Sequence, residues 1–306
     1  MRIVFLGTGD FGAPAFRAIA TNHELALLIA QPDRPAGRHQ RLRPPPLKRT
    51  ALELGIPFAQ PESVNGDEGL TVLREASPEL IVVAAYGQIL REPVFSLPPN
   101  GTVNIHASLL PRYRGPAPVN WAIINGETET GVTTFFIQKD VDTGHILMDS
   151  ATPIDPEETA GELHDRLADL AAGLILGTIA GIASGDLVAA EQQGQATRAP
   201  KLSRDDGRVD WTRPAKAIHD LVRGTNPWPG AFTHLGQEQV KLHRSLRTGI
   251  GRGEVAPGEI ALRGTGRLLV GTGDELLEIR EIQRQSKSRV SGSAFLNGLR
   301  DVAGFR

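Results

Sequence analysis

No cysteine occurs anywhere in the 306 residues. Disulfides and cysteine-ligated zinc or iron–sulfur centres are thereby excluded, and a reducing compartment is the natural expectation. Long apolar runs are also lacking. Leu170 to Ala183 is apolar but shorter than the ~20 residues a membrane span needs. The opening Met1-Arg2-Ile3-Val4-Phe5-Leu6-Gly7 breaks after four apolar residues, too few for a signal-peptide core. A cytoplasmic protein with no membrane partner is expected. There is no internal repeat and no low-complexity segment.

Strong net charge is missing too, the total being −2, which by itself speaks against a polyanionic partner. The distribution speaks for one. Residues 1–197 hold 14 Lys/Arg against 23 Asp/Glu, a balance of −9, whereas residues 198–306 hold 19 against 12, a balance of +7. Inside the acidic part lies a basic island from Gln31 to Arg49. There Arg34, Arg38, Arg41, Arg43, Lys48 and Arg49 face Asp33 alone. A basic loop and a basic second domain can flank a polyanion while the acidic remainder faces away. The plainer account is that an Arg-rich loop is simply solvated. Against it, Pro44-Pro45-Pro46 would stiffen the far end of the loop as polyproline II.

What is present is a globular composition, 40 % hydrophobic and 22 % charged, with length for two domains. Strands are expected at Ile3 to Leu6, Ala26 to Ala30, Leu80 to Ala85, Val103 to His106 and Thr133 to Gln138. A helix is expected around Phe16 to Ala20. Apolar runs alternating with helical patterns predict an α/β fold, a doubly wound (Rossmann-like) parallel sheet whose ligands bind outside the carboxyl ends of the strands. Thr159-Ala160-Gly161-Glu162 has capping-box form, and Leu163, Leu167, Leu170, Leu174 and Ile175 follow at helical spacing. The first domain is therefore drawn over 1–188, with a polar linker over 189–206. Residues 207–306 hold one helix, Pro214 to Arg223 behind Thr212 as cap, and short β segments at 239–243, 259–262, 267–270 and 275–282 separated by glycines. That spacing suggests a small barrel.

The residues with most chemistry are Asn104, His106 and Asp142. Asn104 and His106 are two apart, so on an extended segment they share a face and can aim at one substrate atom. An amide N–H and a ring N–H can stabilise the oxyanion of a tetrahedral intermediate, while Asp142 can hold the tautomer of His106 and favour its protonated form. No Ser or Cys nucleophile is needed if the substrate brings an amine. Taken singly, each has a bland reading: Asn104 as a turn or cap residue, His106 as packed or solvated, Asp142 before Thr143-Gly144 as a turn former.

Their surroundings form a longer pattern. Asn104-Ile105-His106-Ala107-Ser108-Leu109-Leu110-Pro111, then Tyr113-Arg114-Gly115 and later Asp142, resembles the folate-dependent formyltransferases. Two further stretches are similar to the members that act on methionyl-tRNA: Gln31-Pro32-Asp33-Arg34-Pro35-Ala36-Gly37-Arg38, and Asn226-Pro227-Trp228-Pro229-Gly230. The resemblance runs from Arg2 into the last hundred residues and thins after about Gly249. It implies 10-formyltetrahydrofolate as formyl donor, initiator methionyl-tRNA as acceptor, no metal, and a monomer. It also implies catalysis by Asn104, His106 and Asp142, and a folate pocket walled by Ser108, Leu109, Leu110 and Pro111, with Tyr86 to Leu90 opposite. RNA contacts would come from Arg34, Arg38, Arg41 and Arg43, with Arg38 foremost, and the second domain would be OB-like. For Leu109 and Leu110 ordinary core packing is the alternative. The runner-up acceptor is an amino sugar nucleotide.

Other motifs compete. Gly7-Thr8-Gly9-Asp10-Phe11-Gly12 after a strand, with Asp33 near the end of the next, fits a dinucleotide fingerprint and would suggest a nicotinamide-dependent oxidoreductase. Pro14 at the start of the following helix and the Arg/Pro-rich surroundings of Asp33 argue against it. Asp142-Thr143-Gly144 alone does not make an aspartic protease, which needs two such carboxylates. A non-catalytic RNA-binding module would leave Asn104, His106 and Asp142 without a task.

Overall fold

The computed structural model describes residues 1–36, 41–261, 266–299 and 304–306. These fall into two compact units. The first comprises Met1–Gly115, Thr130–Thr152 and His164–Arg198; the second comprises Pro116–Glu129, Pro153–Leu163 and Ala199–Arg306.

The chain begins with β1 (Arg2–Gly7), α1 (Ala13–Asn22), β2 (Glu24–Ile29), β3 (Arg34–Ala36), β4 (Arg41–Arg43), α2 (Pro46–Leu54) and β5 (Phe58–Ala59). α3 (Asp67–Ala76), β6 (Leu80–Ala84), α4 (Glu92–Phe95) and β7 (Thr102–His106) follow. α5 (Pro118–Ile124) belongs to the second unit, and β8 (Glu129–Phe136), β9 (Ile146–Pro153) and most of α6 (Ala160–Ser184) to the first. Among the described residues seven strands form one sheet in the order β5-β2-β1-β6-β7-β8-β9. From β5 to β7 all neighbours are parallel. β1 and β6 are apolar and buried nearly throughout, as strands covered on both faces must be. Val4, Leu6, Ile29, Ile81 and Val83 pack there with Leu73 of α3 and Val94 of α4.

β8 departs from expectation by pairing with β7 antiparallel. A parallel neighbour needs a helix that crosses back over the sheet, and α5, the described helix between β7 and β8, lies in the other unit. The sheet is therefore Rossmann-like but mixed.

The basic island is also more ordered than a loop. β3 and β4 form an antiparallel ladder that sets Arg34 opposite Arg43. Pro45 (φ −53°, ψ 151°) keeps the extended geometry read from the three prolines, but Pro46 already opens α2. Proline suits a first helical turn, where its missing N–H would have no partner anyway.

α6 carries the capping box read from the sequence: Thr159 N–H donates to Glu162 Oε2 at 2.9 Å, and Glu162 N–H to Thr159 Oγ1 at 3.3 Å. The apolar stretch is not confined to 170–183, as the sequence reading had it. α6 has 25 residues and is long and apolar enough to cross a membrane by length and composition. Its buried stripe of Leu167, Ala171, Leu174, Ile175 and Ile179 has the period of a helix packed on a core. Thr178 Oγ1 lies 2.8 Å from Thr134 Oγ1 of β8.

In the second unit α7 (Ala215–Gly224) precedes β10 (Ala231–Leu235), β11 (Glu238–Gly251), β12 (Ile260–Ala261), β13 (Leu269–Gly271), β14 (Glu275–Arg284), β15 (Val290–Ser291) and α8 (Gly292–Asn297). The strands pair antiparallel in the order β10-β11-β14-β13-β12, with β15 on β14. Ile218 and Val222 of α7 pack on Leu242, Val270 and Ile279. Thr212 does not cap α7. Pro214 occupies that position without a side-chain bond, and the Ala215 N–H is taken by Asp274 Oδ1 at 2.8 Å.

Residues 189–206, read as a linker, are divided. Ala190 exchanges two backbone hydrogen bonds with Ile146, at 2.7 and 2.9 Å, and the chain packs with the first unit as far as Arg198.

Candidate active site

β7 has alternating side chains, and Asn104 and His106 emerge on one face at its carboxyl end. His106 is only 6 % exposed. Its Nε2 lies 2.9 Å from the carbonyl oxygen of Tyr113. A carbonyl can only accept, so Nε2 carries a proton and the tautomer is set by main chain, not by the acid. Phe135, on β8, meets the ring edge-on at 6.4 Å.

Asp142 approaches the other ring nitrogen. Its Oδ2 is 3.9 Å from Nδ1, an ion-pair separation and not a hydrogen bond. The same oxygen accepts the Gly115 N–H at 2.8 Å. Asp142 (φ 55°) and Tyr113 (φ 60°) both sit in the left-handed region. Such residues cost of order 1–3 kcal/mol and persist where surroundings over-determine them. Here these two supply the neighbours of both ring nitrogens.

Gln192 supplies part of that constraint, and the sequence reading passed over it inside the presumed linker. Its Nε2 donates to the carbonyls of Asp142 and Gly144, both at 2.9 Å. Its Oε1 accepts from Arg114 Nε and Nη2 at 3.1 and 2.6 Å. Thr197 adds a second tie: Tyr113 N–H donates to its Oγ1 at 2.8 Å. An isolated Gln in a polar stretch leaves no sequence signal. Gly144 has to be glycine because a Cβ there would lie 1.7 Å from the Phe136 carbonyl oxygen.

The amide of Asn104 makes no hydrogen bond among the described residues, nor does Nδ1 of His106. An amide and a ring nitrogen on one strand face are thus free for a ligand, beside a carboxylate.

The expected folate wall is only partly a surface. Ser108 is fully buried, its hydroxyl donating to the Arg112 carbonyl at 2.6 Å. Thr133 Oγ1 donates to the Ser108 carbonyl at 2.7 Å and accepts the Leu110 N–H at 3.2 Å. The Ser108 side chain therefore holds the turn after β7. Leu110 and Pro111 are buried, and Leu109 is partly exposed. Opposite, at the end of β6, burial pushes the Tyr86 hydroxyl up to about 12, so it stays a neutral donor. Among the described residues that hydroxyl and Gln31 Nε2 are buried without a hydrogen bond of normal geometry, although Gln31 lies near enough to Tyr86 to oppose the rise slightly.

Arg34 and Arg43 are exposed and form no ion pair among the described residues. Like charges directly opposite on a ladder repel, so the pair favours an anion between or above them. Arg38 lies outside the described residues, and of Arg41 only the backbone is described. Asp33 is unavailable to a ribose: Lys48 and Gln60 hold its carboxylate. The Thr8 and Gly9 N–H groups, which a dinucleotide site would aim at phosphate, point at the Ala85 carbonyl at 3.3 and 3.5 Å.

A cavity of about 530 Å³ lies elsewhere, lined by Phe95, Asn100, Thr102, Phe136, Leu147 and Ile182 among others. It opens at the amino end of β7, away from His106, and its lining has no titratable side chain, so the chemistry is not there. No cluster of potential metal ligands occurs among the described residues.

The Formyl transferase family matches residues 1–179, and the Formyl transferase, C-terminal domain family matches 201–300. The methionyl-tRNA formyltransferase of Trichlorobacter lovleyi is 44 % identical over 97 % of this chain and 94 % of its own length. That of Geobacter sulfurreducens is 45 % identical over 100 % and 96 %. Among solved structures, the sugar 3N-formyl transferase WlaRD aligns over 94 % of this chain and 99 % of its own, with TM-score 0.69 and 17 % identity. The Clostridium thermocellum methionyl-tRNA formyltransferase aligns over 81 % and 94 %, with TM-score 0.56 and 16 % identity. At such identities the structures speak for the fold, and the full-length sequence relatives for the family. The chain belongs to the formyl transferase family, among the methionyl-tRNA formyltransferases.

Proposed function

We propose that this chain transfers the formyl group of 10-formyltetrahydrofolate to the α-amine of methionine carried on initiator tRNA. Substrate identity rests on relatives of that name matching along the whole chain. The chemistry rests on one observation: Asn104 and His106 present an unpartnered amide and an unpartnered ring nitrogen on one strand face beside Asp142. The free amine attacks the formyl carbon, forming a C–N bond and pushing charge onto the formyl oxygen. The Asn104 amide donates to that oxygen, and His106 Nδ1 does so when it carries a proton in addition to the one on Nε2. The Asp142 carboxylate, 3.9 Å from Nδ1, offers a route, through water, for the amine's proton. The bond to folate N10 then breaks, N10 takes a proton, and the formyl-amide remains on the tRNA. Holding amine and formyl carbon together contributes as much as any single group can.

The donor's polar atoms have two buried groups to satisfy, the Tyr86 hydroxyl and Gln31 Nε2. Leu109 and the segment from Tyr86 to Leu90 would form the pocket walls. Arg34, Arg38, Arg41 and Arg43, together with the basic stretch 198–306, would meet RNA phosphates. The reaction belongs in the cytoplasm, where charged initiator tRNA is used.

Incubation with labelled donor and either methionyl-tRNA, an amino sugar nucleotide or small amines tests this reading. Label is expected in methionyl-tRNA alone; transfer only to the sugar nucleotide would overturn it.

A further inference from the structure

The basic hairpin β3–β4 is closed at its root. Asp33 immediately precedes β3, and Lys48 lies beyond β4 in the first turns of α2. Lys48 Nζ lies 2.8 and 2.9 Å from the two carboxylate oxygens of Asp33. It also donates to Gln60 Oε1 at 2.6 Å and stands 5.0 Å over the ring of Phe58. Gln60 Nε2 completes the ring of contacts, donating to Asp33 Oδ1 at 2.8 Å and to the Gln31 carbonyl at 2.7 Å. The Lys48 side chain is only 15 % exposed and that of Asp33 31 %. Two neighbouring opposite charges are thus partly withdrawn from water and share a neutral bidentate partner. Beyond them Arg34 and Arg43 stay exposed and, among the described residues, unpaired with acid. Charge along the segment is sorted, with a neutral latch at the root and a cationic arm beyond it.

We infer that Asp33, Lys48 and Gln60 are positioning residues that fix the root of this arm for RNA, an inference that rests on the function proposed above. An arm whose root is already ordered loses less entropy when it meets its partner than one that must also fold its base. Among the described residues the latch makes no hydrogen bond to Asn104, His106 or Asp142, and Gln60 meets Gln31 at its main-chain carbonyl. Its loss should therefore appear in the KM for RNA and not in donor affinity.

Two accounts differ in sign for Asp33→Asn. This change removes a negative charge from a basic segment, so electrostatics alone predicts tighter RNA binding. Loss of the latch predicts weaker binding. Steady-state formylation of methionyl-tRNA by the full chain at low salt is the measurement, with donor Kd recorded alongside and trypsin cleavage after Arg41 followed in time. Asp33→Asn and Lys48→Met are each expected to raise the KM for methionyl-tRNA roughly tenfold, on the scale of hydrogen bonds to charged groups. Donor Kd should hold, cleavage should quicken, and the double variant should be no worse than either single one. Should Asp33→Asn fold poorly, Gln60→Leu tests the same latch without a charge change and should raise KM in the same direction. Wild-type KM in Gln60→Leu, or unchanged or tighter RNA binding by Asp33→Asn with an active wild type, overturns the inference alone. A wild-type chain that cannot formylate methionyl-tRNA overturns the proposed function and this inference with it.

Discussion

His106 Nε2 and the Tyr113 carbonyl oxygen stand 2.9 Å apart, and that contact decides which ring nitrogen can serve a substrate. With Nε2 committed to main chain, Nδ1 is the free one, 3.9 Å from Asp142. Asn104→Ala and His106→Ala should each lower kcat by roughly 10²–10³, the scale for one oxyanion donor, with little change in KM. Asp142→Asn is the sharper variant, because an amide oxygen can still accept the Gly115 N–H while the charge is gone. It should be comparably slow. Steady-state kinetics on folded variants decide it, and near-normal kcat removes the residue concerned from the mechanism.

Gln192 touches no substrate in this scheme, yet it ties the Asp142 turn to Arg114. Gln192→Ala should leave the fold intact and lower kcat about tenfold by loosening the carboxylate near Nδ1, since small misplacements of a catalytic group are costly. Gln192→Glu should restore part of the loss, because a carboxylate still pairs with Arg114 although it cannot donate to the Asp142 and Gly144 carbonyls. Equal kcat in wild type and Gln192→Ala would show that Tyr113 and Gly115 suffice.

Ser108 offers a contrast between motif and geometry. Its hydroxyl is spent on the Arg112 carbonyl. Ser108→Ala should cost about 1 kcal/mol of stability and leave donor Kd unchanged. Isothermal titration and chemical denaturation on the same sample separate the two outcomes, and weakened donor binding at full stability would return Ser108 to the pocket.

Much of this was legible in the chain. Continuous apolar runs located β1 and β6, the spacing of Asn104 and His106 set their common face on β7, and Thr159 and Glu162 announced the start of α6. The antiparallel β8 was not legible, because strand direction depends on which unit the intervening helix joins. The bond of Ser108 to its own turn was not legible, since a motif gives residue identity without saying what a side chain faces. Gln192 and the latch partner Gln60 escaped for a related reason: their partners are 48 or more and 27 or more residues away for the side-chain bonds to Asp142, Gly144 and Asp33. The hairpin β3–β4 was hidden because a Pro/Arg-rich stretch has no alternating apolar pattern.

The facing pair Arg34 and Arg43 makes the salt dependence specific. Binding of methionyl-tRNA should weaken linearly on a log–log plot as salt is added, because phosphate contacts release counterions. Arg34→Ala and Arg43→Ala should each reduce that slope by about 1 if each neutralises one phosphate. Filter binding from low to moderate salt measures it. A flat response in the wild type would contradict a phosphate-based interface.

The capping box of α6 carries a pH dependence of its own. Glu162 accepts the Thr159 N–H, and that bond foremost, with further help from the Thr159 hydroxyl and Arg244, holds its carboxyl below the ordinary value of 4.5. A carboxyl lowered in the folded state stabilises the fold above its unfolded value, and the contribution is lost as pH falls through the folded value. Glu162→Gln keeps a side-chain acceptor but removes the charge. Because the side chain is half exposed and solvent screens it, the expected cost at pH 7 is small, roughly 0.5 kcal/mol. Other carboxyls titrate alike in both proteins and cancel in the difference. The gap between wild type and Glu162→Gln in urea denaturation should therefore be widest at pH 6–7 and close below about pH 4. A gap that stays constant from pH 7 to pH 3 would mean that the charge contributes nothing and that the hydrogen bonds to Thr159 carry the cap by themselves.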